Sequence, residues 1–268
     1  AKPQLFHGCF IHTINGKVEI LENKYVVVEN GKIKSINESK PDGDFDIIET
    51  TNTQIIVPGL IDAHIHAPQY SYCGCGFDIP LLTWLNKYAF PSESKFEESE
   101  FASRIYNAVV SRSLAAGTTT ASYFATIHVD SSLMLANVCR ERGQRAFIGK
   151  VTMDRNSPDF YVEKSTESAI ESEKKFIAQF GKISEDDLVK PILTPRFVPS
   201  CSMEAMKGLA QIQNENPIIR IQTHVSENLN EIELVKSLHP DISNYTSVYD
   251  EAGLLSSRTL LAHGVHLT

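Results

Sequence analysis

The hydrophobic pattern of the chain alternates between strand-like and helical spacing. In residues 101–116 the apolar positions fall near helical spacing, and Gly117 stands where helices commonly end. Residues 118–127 read as a strand, and Asp130 is predicted to cap a helix that ends at Gly143. The same cycle then repeats, with predicted strands at 145–151, 188–197, 217–225 and 258–263 and predicted helices at 166–180, 203–214 and 230–238.

The first 53 or so residues have a different pattern. Short β-like runs cover 9–14, 18–21 and 25–28, and the dipeptides Asn15-Gly16 and Asn30-Gly31 are strong turn signals between strands. A small all-β segment is therefore predicted, with a boundary near Ile55. We expect residues 1–54 to be the N-terminal part of a small β-sandwich domain and residues 55–268 to be a second domain.

A strand beginning at Ile55 brings the number of strands in the second domain to six, with helices between them. Such alternation predicts a parallel sheet covered by helices, either a closed (β/α)8 barrel or an open doubly wound sheet. No glycine-rich phosphate fingerprint follows any strand, which favours the barrel. A barrel needs eight strands and typically about 250 residues, so we expect this chain to hold only about six of the βα units.

Polar residues fall at the predicted C-terminal ends of several of these strands. His64 and His66 end the first strand, His224 and Glu227 mark the end of the fifth, and His263 ends the sixth. The fourth strand ends in Thr194-Pro195-Arg196-Phe197. Barrel enzymes carry their chemistry at the C-terminal ends of the strands, so the joint pattern predicts an active site there.

Composition and charge narrow the class of partner. The chain has 268 residues, is 42% hydrophobic and 22% charged, and carries a formal net charge of −8. This charge disfavours binding to nucleic acid or to an anionic membrane, and neither a signal peptide nor a membrane span is evident. We expect a cytoplasmic protein with a small-molecule partner. The five cysteines are too few and too scattered for a disulfide framework, and Cys73 and Cys75 alone are a weak zinc motif.

The histidines suit activation of water by a metal. Neutral imidazoles at His64, His66 and His224 can hold Zn²⁺ and leave room for water, whose pKa then falls to near 7. Glu227 lies three residues after His224, where it can carry a proton between water and substrate. His263 is either a fourth ligand or a group that orients the water, and we favour the second role.

Several short motifs are spread along the chain. They include Val57-Pro58-Gly59-Leu60-Ile61-Asp62-Ala63-His64-Ile65-His66, Ala67-Pro68-Gln69-Tyr70, Leu81-Leu82-Thr83-Trp84-Leu85, Thr194-Pro195-Arg196-Phe197, His224-Val225-Ser226-Glu227-Asn228 and Ala262-His263-Gly264. These motifs resemble those of the amidohydrolase superfamily and, within it, of the guanine deaminases. The resemblance covers nearly the whole chain, and its segments around Gln69, Trp84 and Arg196 are the most specific to guanine deaminases.

The resemblance implies a purine substrate, guanine, which is deaminated hydrolytically to xanthine and ammonia at one zinc ion per subunit, in purine catabolism. It implies that His64, His66 and His224 bind the metal and that Glu227 and His263 are catalytic. It also implies a homodimer. The residues that it places against the purine are His66, Gln69, Arg196, Phe197, His224 and His263.

One family feature has no counterpart before residue 268. The family's aspartate at the end of the eighth strand, a metal ligand and general base, would lie beyond this sequence. We therefore expect either an excerpt of a longer protein or a truncated product with little activity.

Two other functions stay open. The site could serve another ring deamination or hydrolysis, of cytosine, a triazine or a pterin, although Gln69 and Arg196 favour a purine that carries an oxo group. A catalytically silent binding or scaffold protein is the alternative from a different class.

Overall fold

The computed structural model of the chain describes residues 2–267. Its contacts divide the chain between Gly59 and Leu60 into two compact units. The predicted domain limits, 1–54 and 55–268, stay predictions. None of the helices among the described residues combines the length and the apolar character needed to cross a bilayer.

The smaller unit is built on a five-stranded sheet. Strand β2 pairs antiparallel with β1 and β3, and β1 also pairs parallel with β4 and β5. Asn15-Gly16 and Asn30-Gly31 form the predicted turns, with all four residues at positive φ. The strands are β1 (Gln4–Ile14), β2 (Lys17–Glu29), β3 (Lys32–Asn37), β4 (Asp46–Glu49) and β5 (Ile55–Ile56).

Two details of this region differ from the sequence prediction. The runs 18–21 and 25–28 are parts of the single strand β2, which continues through Asn23 in a left-handed conformation with φ of 52°. Ile55 does not begin the first barrel strand, because Ile55–Ile56 pairs with β1 instead. An apolar run alone does not reveal which of two sheets takes it up.

The larger unit contains a parallel sheet in which strands adjacent in the chain are neighbours in space, in the order β12-β11-β10-β8-β7-β6. The short strand β9 also pairs with β10, so β8 and β9 together serve as one interrupted barrel strand. The strands are β6 (Leu60–His66), β7 (Thr118–Phe124), β8 (Arg145–Gly149), β9 (Val151–Thr152), β10 (Val189–Pro195), β11 (Arg220–Val225) and β12 (Thr259–His263).

The sheet curves into a nearly closed barrel of six strands, which confirms the predicted fold class. Six parallel strands laid flat would place their outer members roughly 24 Å apart, at about 4.8 Å per step. Yet the ring of His64, on the first strand, lies 4.8 Å from that of His263, on the last strand. The curvature therefore brings together side chains that are remote in the strand order.

Helices connect the strands, as the alternation predicted. Helix α4 begins at Val129, with His128 as its N-cap, so the prediction that Asp130 caps it was wrong; Asp130 lies in the first turn, where its charge favours the helix N-terminus. Helix α8 has no counterpart in the sequence prediction. The long helices and α8 are α3 (Ser99–Ala115), α4 (Val129–Arg142), α5 (Thr166–Ala178), α6 (Met203–Glu215), α7 (Leu229–Leu238) and α8 (Tyr245–Glu251).

Between β6 and α3 the chain forms a run of short helical turns rather than one regular helix. The run includes α1 (Leu81–Trp84), a π-helical turn at Leu85–Ala89 and α2 (Phe90–Glu93). Single π-helical turns often occur at functional sites. This run supplies part of the wall of the cavity described below.

A buried polar layer crosses the interior of the barrel. Gln222 on β11 accepts a hydrogen bond from Ser122 (2.7 Å) and donates to Thr194 Oγ1 (3.0 Å), so it joins strands β7, β10 and β11. Gly149 leaves the necessary space, since a Cβ atom there would lie 1.8 Å from Thr194 Oγ1. The layer thus links β11, which carries His224, to β7 and β10.

Candidate active site

Three histidines converge at the C-terminal end of the barrel strands. His64 and His66 come from β6 and His224 from β11, and one nitrogen from each ring lies within 4.8 Å of the others. Among the described residues they form the one cluster of three or more candidate metal ligands. The structure thus brings together the three residues that the sequence predicted as metal ligands.

Hydrogen bonding fixes the tautomer of His224. Its Nδ1 lies 2.6 Å from the backbone carbonyl oxygen of Arg196, so Nδ1–H donates and Nε2 carries the lone pair. That Nε2 lies 2.9 Å from His66 Nε2. The Nδ1 atoms of His64 and His66 are buried, with no hydrogen-bond partner among the described residues. Buried imidazole nitrogens without protein partners fit a metal ion well.

The surroundings keep these imidazoles neutral. Burial, assisted by His263 and Arg196, lowers the pKa of His64 to about 4. Burial also lowers the pKa of His66 and that of His224 well below the ordinary value. A neutral imidazole is the form that binds a metal, so the trio is ready to coordinate one at pH 7 without first losing protons.

Glu227 and His263 lie beside the three histidines. Glu227 Oε2 is 3.4 Å from His263 Nε2, and the His263 ring stacks on that of His224 at a centroid distance of 5.3 Å. Burial raises the pKa of Glu227 and lowers that of His263. Ser226 and His263 both adopt left-handed backbone conformations, with φ of 49° and 71°. The chain therefore turns sharply at the two strand ends that carry these side chains.

A cavity of about 570 Å³ opens above the histidines. All of the site residues predicted from the sequence line it: His64, His66, Gln69, Arg196, Phe197, His224, Glu227 and His263.

Other lining residues were not predicted as site residues. Tyr72 and Leu85 belong to the irregular segment between β6 and α3, where no sustained periodicity marks a face. Cys73 and Cys75 also line the cavity, but both are exposed and neither belongs to the histidine cluster. The zinc motif suggested by their spacing is thus not part of the cluster found here.

Arg196 is buried and forms an ion pair with Glu93 as well as lining the cavity. Its Nη1 donates to Glu93 Oε2 (2.6 Å) and its Nη2 to Glu93 Oε1 (3.0 Å). The resemblance implies that Arg196 contacts the substrate. In the structure this side chain has an ion-pair partner in Glu93 and also lines the cavity.

Comparison with known proteins supports the same fold and identifies the family. A model of the Amidohydrolase family matches residues 55–268. Guanine deaminase of Dictyostelium discoideum is 47% identical over 99% of this chain and 62% of its own length. The probable guanine deaminase of Schizosaccharomyces pombe is 44% identical over 98% of this chain and 52% of its own length.

A solved structure is similar over the same range. Guanine deaminase from C. acetobutylicum, with guanine bound in its active site, superposes with a TM-score of 0.91 and 40% identity, over 99% of this chain and 63% of that one. The chain thus spans between about half and two thirds of the length of these relatives. Since the family model matches well over half of its residues, the chain belongs to the amidohydrolase family.

Proposed function

We propose that the protein is a zinc-dependent guanine deaminase, which converts guanine and water into xanthine and ammonia. The observation that carries the proposal is that one cavity is lined by three convergent histidines, by Glu227 and by the polar groups of Gln69 and Arg196. The similarity to guanine deaminases at 44–47% identity supports it. So does the guanine bound in the active site of the similar C. acetobutylicum enzyme.

The residues present fit a zinc ion. His64, His66 and His224 would hold it, because their rings are neutral and two of them have buried nitrogens without protein partners. When bound, zinc supplies Lewis acidity, which makes a water molecule a strong nucleophile at neutral pH. The carbonyl of Arg196 keeps His224 in the tautomer that this role needs.

Glu227 is the proposed proton carrier. Burial raises the pKa of its carboxyl group, so the group both takes and returns a proton more readily near neutral pH than an exposed glutamate does. We assign it the transfer of a proton from the attacking water to the purine ring nitrogen and onward to the departing amine. His263, 3.4 Å away, orients the water and contacts the substrate.

Gln69 and Arg196 are the proposed purine-edge contacts, and Phe197 packs against the ring. An amide offers both a donor and an acceptor, whereas a guanidinium offers donors only. A base whose polar groups do not match would leave buried groups unpaired, which costs affinity and discriminates between purines. Such contacts favour a purine with an oxo group over cytosine, a triazine or a pterin.

The first experiment follows guanine loss and xanthine formation by ultraviolet absorbance in the intact protein, with adenine and cytosine as controls. Turnover of guanine alone, abolished by a chelator and restored by zinc, is expected. The variant Glu227→Gln, which keeps the shape of the side chain, should lose most of the turnover while retaining its metal content. Turnover of another ring would overturn the specificity. Stoichiometric zinc without turnover of any ring would support the scaffold alternative instead.

Other parts of the proposal concern partners and location. We expect a homodimer in the cytoplasm, by resemblance to the family. Sedimentation of the intact protein at micromolar concentration checks the first of these, and a single species with the mass of a monomer would contradict it.

A further inference from the structure

The ion pair between Arg196 and Glu93 is one of the most completely buried charge pairs of the larger unit. Arg196 is 2% exposed and Glu93 is 0% exposed. Arg196 follows β10, whereas Glu93 ends α2, 103 residues earlier. Two parallel N–H···O bonds join them end to end, an arrangement that fixes the plane of the guanidinium as well as its position.

Glu93 itself is fixed by a further contact. The hydroxyl of Tyr161 donates a hydrogen bond to Glu93 Oε2 at 2.8 Å. Burial and the charge of Glu93 raise the pKa of Tyr161 well above its ordinary value, so the hydroxyl keeps the proton that it donates. On the side of the guanidinium, the ring of Phe90 lies 5.2 Å from Arg196 Cζ. Contacts from two side chains, Tyr161 and Phe90, therefore hold the pair in place.

The backbone of Arg196 takes part in the same arrangement. Its carbonyl oxygen accepts the hydrogen bond from His224 Nδ1 that orients this candidate metal ligand. Movement at residue 196 would thus displace both the guanidinium and His224. Glu93, which holds the guanidinium, acts on the site through another residue and does not line the cavity among the residues described.

The charge of the pair has a consequence for what Arg196 can bind. A lone buried guanidinium would attract an anion strongly, because the charge is poorly screened away from water. Here the carboxylate of Glu93 already compensates that charge at contact distance. Arg196 therefore presents directional N–H donors to the cavity with little net charge behind them. Such donors match a neutral carbonyl oxygen better than a carboxylate.

We propose that Glu93 is a specificity-determining positioning residue: it orients Arg196 and neutralises it, so that the cavity selects a neutral oxo-purine over an anionic purine of similar size. This inference rests on the proposed function, since it takes a purine as the ligand. It assigns the selection by charge to a residue that does not touch the ligand.

The test measures dissociation constants by calorimetry in the intact, zinc-loaded protein at pH 7. The probes are hypoxanthine, a neutral oxo-purine, and purine-6-carboxylate, which is anionic at this pH. The unaltered protein should bind hypoxanthine at least about tenfold more tightly. Glu93→Gln leaves the charge of Arg196 uncompensated, so the ratio of the two constants should shift toward the carboxylate by about tenfold or more.

Two matched variants separate charge from packing. Glu93→Asp keeps the charge, so it should keep the preference for hypoxanthine even where both ligands bind more weakly. Tyr161→Phe removes only one hydrogen bond to Glu93, so it should change the two constants by similar factors. A folded Glu93→Gln variant whose ratio stays within twofold of the unaltered protein would overturn the inference.

The proposed function and this inference fail in distinguishable ways. A folded, zinc-loaded protein that binds no purine would contradict the proposed function. Binding of purine-6-carboxylate as tightly as hypoxanthine by the unaltered protein would contradict the inference alone. That second comparison needs no variant, so it can overturn the inference even where Glu93→Gln does not fold; circular dichroism checks the folding of each variant.

Discussion

Two buried charge clusters of the larger unit differ in how their charges balance. Near the cavity, the single cation Arg196 faces the single carboxylate Glu93. Next to helix α5, the fully buried Lys150 pairs with Glu163, and a second carboxylate, Glu173, is also buried. Arg196 lines the cavity, whereas none of the three residues of the second cluster does so among the residues described.

The excess of acid in the second cluster shows in the protonation of Glu173. Burial raises the pKa of Glu173 to about 7, and the nearby charge of Lys150 opposes this only in part. Thr152 Oγ1 donates to Glu173 Oε2 at 3.1 Å, while Oε1 has no partner among the described residues. The pair beside the cavity is balanced one to one, but the second cluster has one cation for two acids. The charges of Arg196 and Glu93 beside the cavity thus compensate each other, whereas Glu173, which does not line the cavity, titrates near neutral pH.

The largest effect is expected at the balanced pair. Arg196→Met removes the donors and leaves Glu93 buried without its cation, so kcat/KM for guanine should fall by about 10³-fold or more. Steady-state kinetics by absorbance, with metal content checked in parallel, measures this. A variant that retained zinc and more than a tenth of the original kcat/KM would contradict the importance of the balanced pair for turnover.

The second prediction concerns Lys150. Lys150→Met leaves the fully buried Glu173 and the largely buried Glu163 without a cation, so the free energy of unfolding should fall by about 3–5 kcal/mol. In contrast to Arg196→Met, the KM for guanine should stay within about threefold, because the cluster does not line the cavity. Urea denaturation measures the first quantity, and Lys182→Met, at an exposed lysine, is the control. A large rise in KM for Lys150→Met with an unchanged free energy of unfolding would contradict the prediction that this cluster serves stability and not substrate binding.

The smallest effect is a pH dependence at Glu173. The unfolded carboxyl group ionises near 4.5 and the folded one near 7, so between these values the folded state holds a proton that the unfolded state has lost. Stability therefore falls as the pH rises through this window, by at most about 3 kcal/mol, and the cost is complete above pH 7.

Glu173→Gln removes that cost, since the amide can still accept the bond from Thr152. The variant should be more thermostable than the unaltered protein at pH 8, and the advantage should vanish toward pH 4.5. Glu171→Gln, at an exposed glutamate of the same helix, should show no such trend. If Glu173→Gln were instead less stable than the unaltered protein by the same amount at pH 5 and at pH 8, packing and not ionisation would govern this position.

The residues of the candidate site that lie in regular elements were predictable from the sequence. The histidines at the ends of β6, β11 and β12 were predictable because a strand pattern and its end can be read within a few residues. Helices α3 to α7 were placed to within about three residues for the same reason. The parallel connections then determine that these strand ends meet at one end of the barrel.

The supporting residues were not predictable in this way. Glu93 lies in a run of short helical turns without sustained periodicity, and its partner is 103 residues away. Tyr161 lies in the long connection between β9 and α5 and reaches Glu93 across 68 residues. Nothing local in the sequence marks either residue, because their role arises only from the tertiary packing. The prediction that the first barrel strand starts at Ile55 was wrong for a related reason. Ile55 and Ile56 are apolar, and their sequence suits either of the two sheets.

The left-handed backbone at Ser226 and His263 has a consequence for how the protein can change. Non-glycine residues in this conformation store strain on the order of 1 kcal/mol each. Glycine at either position would relieve that strain, but it would also free the segment that carries Glu227 or remove the imidazole of His263. Selection for stability and selection for turnover therefore oppose each other at these two positions, and the most thermostable descendants of this sequence should be poor catalysts.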